Sequence, residues 1–187
     1  MAVTTLDQKT ALIVVDLQKG LVSSPTVHPT AEVVKQASTL ADTFRSRGLP
    51  VVLVNVAGAP PGRTEQAPRV TAFPAGWMDI VPELRQRPGD HTVTKRTAGA
   101  FTNTDLEAYL KSRNVTQVVI VGVSTSMGVE ATARHARDLG FNVTLALDAM
   151  TDTNLDAHTN SIVHIFPRLG ETGTTLDIID LLAKRSA

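Results

Sequence analysis

The sequence predicts an α/β protein in which βαβ units build a parallel sheet, and three observations carry that expectation. Short apolar runs rich in β-branched residues recur along the chain, helical patterns lie between them, and glycines stand where those helices should stop. The runs are ALIVVD (11–16), PVVLVNV (50–56), HTVTK (91–95), TQVVIVG (116–122), FNVTLALD (141–148) and a weaker ETGTT (171–175).

The helices follow in order. Residues 30–47 place Val33, Val34, Ala37, Leu40, Ala41 and Phe44 near the 3.6-residue period, with Gly48 next as a C-terminal cap. Residues 104–113 open with Thr104 and carry Glu107 three positions on, the pattern of a capping box. Two more helices are expected, over 126–139 up to Gly140 and over 175–184. The stretch 57–90 is of another kind: it holds six of the ten prolines and the single tryptophan, and reads as a long excursion over a site. Val70, Phe73, Trp77 and Met78 within it suit a lid or a subunit interface equally.

Composition bounds the function. At 187 residues with no long linker, one domain spanning 1–187 is expected. Eighteen basic residues balance eighteen acidic ones, so no overall charge draws the chain to nucleic acid or a membrane surface. The apolar stretch ALIVV near the start is far short of the roughly 20 residues of a membrane span, and signal-peptide features are lacking, which points to the cytoplasm. There is no cysteine, which excludes disulfides, thiolate metal sites and thiol catalysis. No GxxxxGK[ST] phosphate loop occurs.

In open α/β sheets, ligands bind beyond the carboxyl ends of the strands. Asp16 ends the first predicted strand, Lys95 the third, and the turn GVSTSMG follows the fourth. A carboxylate, an ammonium and a helix-opening turn could converge on one crevice, although by position alone a strand-terminal Asp is more often only a cap or loop hydrogen-bonder and a lone Lys is usually solvated. Ser124, Thr125 and Ser126 lack an evident base in the sequence, so hydrogen bonding within the turn is their expected role. Arg96 is left open between binding a carboxylate and facing solvent. His158 and His164, six apart, read as structural or interface residues.

The segments ALIVVDLQKG and KRTAGAFTNTDLEAYLKSRNVTQVVIVGVSTSMGVEATARHARDLGFNVTLALDAMTD resemble the isochorismatase-like hydrolase superfamily over most of the chain. The resemblance implies a three-layer α/β/α fold with a six-stranded parallel sheet, a small-molecule substrate and a homodimer or larger homo-oligomer. It also implies an Asp–Lys–Cys triad in which Asp16 and Lys95 match and Gly128 stands where the nucleophilic cysteine belongs. A cis peptide between Val123 and Ser124 would aim the amides of Ser124 and Gly128 as an oxyanion hole, with Thr125 also near substrate and Gln18 and Phe101 in the pocket wall, apolar packing being the better reading for Phe101. Members that bind metal carry Asp-x-His and a further His after the second strand; this chain reads NVAGAPPGRTEQAP there, so neither a metal nor another cofactor is expected.

Two functions stay open on these grounds. One is a non-covalent hydrolase driven by Asp16, of the isochorismatase vinyl-ether type, for which an Asp, Lys, Gly arrangement suffices. The other is an inactive binding protein descended from a Cys-dependent, nicotinamidase-like amidase.

Overall fold

Six strands, β1 (Thr10–Val15), β2 (Val51–Val56), β3 (His91–Lys95), β4 (Gln117–Val123), β5 (Asn142–Thr151) and β6 (Glu171–Gly173), form one parallel sheet. The order is β3-β2-β1-β4-β5-β6, with the short helices α1 (Lys19–Val22) after β1 and α5 (Leu155–Asn160) after β5. The computed structural model describes residues 3–65 and 73–185, so Val70 lies outside the described residues.

Every residue of β1 and β4 is buried, which explains their unbroken apolar sequence: a parallel strand at the centre of a sheet is covered on both faces. Successive side chains take opposite sides. Leu12, Val14, Leu53, Val119 and Val121 pack under α2 (Thr30–Ser46) and α7 (Thr175–Ala183). Ala11, Ile13, Val15, Val52, Val54, Val118 and Ile120 face α3 (Leu106–Ser112), α4 (Glu130–Asp138) and Phe166 of α6 (Phe166–Leu169). The result is the expected three-layer sandwich.

Helix α2 buries the predicted stripe and stops as its sequence indicates. Gly48, at φ +66°, and Leu49 return hydrogen bonds to the carbonyls of Arg45 and Phe44, a Schellman closure that favours glycine.

Three expectations are corrected. The capping box at Thr104 does not form: α3 begins at Leu106, the Thr104 hydroxyl donates back to the Ala100 carbonyl at 2.6 Å, and Glu107 pairs with Lys111 one turn on. A capping box does occur at Thr174 and Asp177, which is why β6 ends at Gly173 rather than running to residue 175. The helix expected over 126–139 is an α-helix only from Glu130. Thr125–Val129 form a wide π turn in which the Val129 amide reaches five residues back to the Ser124 carbonyl. Asp152 takes the Ser126 amide and hydroxyl from outside the helix at 2.8 and 2.7 Å, holding the turn open.

The excursion from 57 is anchored at its far end. Buried Arg45 of α2 binds Asp90 at 2.7 Å and the Leu84 carbonyl at 3.1 Å, while Asp42 takes Arg85 and Arg87.

Candidate active site

Strand order reverses between β1 and β4, so the crevice forms at the carboxyl ends of those two strands. Asp16 leaves β1 with a left-handed backbone, φ +56°, a conformation that aspartate tolerates better than most residues. Its amide still donates to the Val54 carbonyl, so the strand holds the residue while the backbone turns.

Lys95 stands on the edge strand, two strands away, a gap of about 10 Å. Its long side chain spans that gap: Nζ lies 2.8 Å from Asp16 Oδ2 and donates to the Thr97 carbonyl at 3.1 Å. Both residues are buried, with 5% of Asp16 and 2% of Lys95 exposed. The other carboxylate oxygen, Asp16 Oδ1, is buried with no hydrogen-bond partner. Burial pushes the Asp16 carboxyl up to about 6, against the opposing pull of the Lys95 charge and hydrogen bond.

The third element is the π turn, entered through a cis peptide between Val123 and Ser124 as expected. A Cβ on Gly128 would lie 3.0 Å from the Val123 carbonyl oxygen, 3.0 Å from Val15 Cγ1 and 3.1 Å from Asp16 Oδ2. Any side chain there would point at the Asp16–Lys95 pair, and the surroundings have closed in on the glycine. Beside the turn, a cavity of about 150 Å³ is lined by Gly20, Leu21, Ser24, Thr26, Val123, Ser124 and Thr153.

The remaining expected residues are held close by, in other roles. The Gln18 amide group is consumed by backbone, accepting from Val56 N at 2.7 Å and donating to the Val56 and Trp77 carbonyls. It clamps the excursion to β2. Phe101 is buried in the apolar core against Phe141 and His135. Thr125 is fully buried, and its hydroxyl meets His158 Nδ1 at 2.8 Å behind the turn. The sequence offered no base for these hydroxyls, yet Thr125 has a histidine and Ser126 a carboxylate. Burial first and His28 second hold His158 below the usual histidine range, so it meets Thr125 as a neutral ring. His164 is exposed, and the Arg96 guanidinium is tied to the Ala57 carbonyl at 3.1 Å.

Two contributors were missed in the sequence. Asp152 holds the turn, and its signal was an acid at the carboxyl end of β5 in DAMTD. Thr132 joins the turn to the Lys95 loop, donating to the Gly128 carbonyl at 2.6 Å and accepting from the Ala100 amide at 3.1 Å.

The last part of the excursion docks on the site's own chain. Val81 N donates to Leu17 O, Lys19 N to Asp79 O and Gly20 N to Trp77 O, and Lys19 pairs with Asp79 at 2.9 Å. The Trp77 indole lies so close over Gly20 that a Cβ there would be 2.1 Å from the ring. Gly20→Ala is expected to lift Trp77, and protease digestion should then cut at 73–81 faster than in the parent chain. An unchanged cleavage rate would contradict this account of the docking.

A model of the isochorismatase domain matches residues 10–177. The chain belongs to the isochorismatase family. It is 39% identical over 180 residues to the uncharacterized isochorismatase family protein YwoC of Bacillus subtilis, covering 92% of this chain and 94% of that one. It is 35% identical over 148 residues to streptothricin hydrolase of Streptomyces noursei, covering 79% of this chain and 51% of that protein. The structure of an isochorismatase family protein from Burkholderia thailandensis superposes with a TM-score of 0.93 at 37% identity, covering 96% of this chain and 98% of that one. As an isochorismatase-family protein the chain is a hydrolase, and no helix among the described residues is long and apolar enough to cross a membrane.

Proposed function

We propose that this hydrolase works without a covalent intermediate, with Asp16 as acid and base, and that its reaction is the hydrolysis of a vinyl ether of the isochorismate type. The observation that carries the reading is the Asp16 carboxyl itself. One oxygen is fixed by Lys95, the other is buried without a partner, the pKa is raised to about 6, and Gly128 offers no nucleophile beside it. At pH 7 about a tenth of such a group carries its proton, enough for a general acid that also serves as a base.

The steps follow from that group. Protonated Asp16 gives its proton to the vinyl CH₂ carbon, leaving an oxocarbenium ion. Water adds to that carbon and its surplus proton returns to the Asp16 carboxylate. The hemiketal then collapses, its hydroxyl proton passing to the departing ring oxygen, to give pyruvate and a dihydrodiol. Lys95 fixes the carboxylate and stabilises its ionised state between steps. The amides of Ser124 and Gly128 are the donors for a substrate anion. No metal or other cofactor enters the reaction.

Supporting the same reading, the docked 77–81 segment acts as the lid, and the protein works in the cytoplasm as a homo-oligomer. Exposed Met127, Leu155 and Val163, on segments that pack side by side, supply apolar contact surface for that assembly.

The reading is tested by offering purified protein isochorismate and, separately, nicotinamide and maleamate. Pyruvate from the first and no ammonia from the amides is the expected result. Ammonia without pyruvate would contradict it, and tight binding without turnover of any of the three would favour the inactive binding protein.

A further inference from the structure

We propose that the amino edge of the sheet, opposite Asp16, binds a compact, multiply charged oxyanion of the diphosphate class. The chain enters β1 and β2 here and leaves α2, α3 and α7, so this edge is about 20 Å from the Asp16 crevice, the length of a six-residue strand. A cavity of about 630 Å³ opens on it, within the range of small-molecule sites.

Four cations, Lys9, Arg47, Arg113 and Arg185, line that cavity, and no carboxylate does. None of the four forms an ion pair among the described residues. The nearby acid, Asp7, has one carboxylate oxygen, Oδ2, taken by the Thr116 hydroxyl and the Asn142 amide, while its backbone carbonyl receives Arg185 Nη2. Arg185 also donates to Thr10 Oγ1, so its guanidinium is fixed at the sheet end rather than free in solvent. Burial and the neighbouring Arg47 charge both weigh against the charged form of Arg185, and only Asp7 supports it.

Helix dipoles account for part of this charge. The carboxyl ends of α2, α3 and α7 contribute about half a negative charge each, roughly −1.5 against four positive charges. Asp7 supplies one more negative charge beside Arg185, which leaves about one and a half positive charges unmatched for a multiply charged anion. Guanidinium forks suit phosphate oxygens in particular, and Gln8, Ser112 and Asn114 add neutral hydrogen-bonding groups to a lining completed by Gly48, Leu49, Pro50 and Val115.

The test is calorimetric titration of the whole chain with inorganic pyrophosphate at low and moderate salt. Saturable one-to-one binding that weakens with salt is expected, and Arg47→Gln/Arg113→Gln should reduce the affinity by about tenfold or more. Both arginines are exposed, so that variant keeps the fold, as circular dichroism would verify. Lys35→Gln/Arg134→Gln, which removes the same charge from exposed positions elsewhere, should leave binding unchanged. No saturable binding, or equal weakening by both double variants, would overturn the proposal.

Discussion

Gly122→Ala is expected to prevent the chain from accumulating as folded protein, or to cost more than about 4 kcal/mol if it folds. The glycine has φ +120°, and a Cβ there would lie 2.0 Å from the Val15 carbonyl oxygen and 2.8 Å from the Val15 backbone nitrogen. Those atoms belong to the central strand, paired on both sides, so they cannot move aside as a side chain would. A clash with fixed backbone adds to the strain of a β-carbon at that φ. Val15 precedes Asp16, so any relaxation there would also displace the carboxylate. Urea unfolding of soluble protein, compared with the parent, checks this; a midpoint equal to the parent's would contradict it.

Asp16→Asn is expected to change how stability depends on pH by about 3 kcal/mol. The folded pKa, about 6, lies above the ordinary aspartate value of 3.8, so between those values the folded chain holds a proton that the unfolded chain has released. The contribution of Asp16 is therefore fully present below about pH 4 and is lost as pH rises through about 6. The gap between 3.8 and about 6 corresponds to the roughly 3 kcal/mol. Asparagine does not titrate, so the parent-minus-variant difference in unfolding free energy should fall between pH 4 and 6 and then level off. The other carboxylates cancel in that difference. A difference that stays constant or rises with pH would show that Lys95, not burial, dominates Asp16.

The layers of the fold were legible because burial writes itself into parallel strands: β1, β2 and β4 are apolar runs, and the stripe of α2 ends at its glycine. What the sequence hid depends on long-range partners. The π turn is held at its opening by Asp152, 26 residues after Ser126, which accepts the Ser126 amide and hydroxyl. The Thr104 capping box is missing because Glu107 turns forward to Lys111 instead of back to residue 104. In the site, Asp16 and Lys95 were findable as charged residues at strand ends, where apolar sequence stops. Their 2.8 Å approach follows only from strand order, which lets a lysine on the edge strand reach across β2. Gln18 and Thr125 showed their positions but not their directions: both turn toward partners distant in the chain, Val56 and His158. The excursion was visible as a proline-rich stretch, and its docking through Gly20 and Trp77 was not.

Pyruvate release from isochorismate by the parent chain and by Asp16→Asn decides whether the Asp16 carboxyl delivers the proton that starts the reaction. Asparagine keeps the size of the side chain and offers no acidic proton. The account predicts release by the parent and a loss of about a hundredfold or more in the variant, the scale of general acid catalysis, with circular dichroism showing both folded. Release by Asp16→Asn at the parent rate would contradict it.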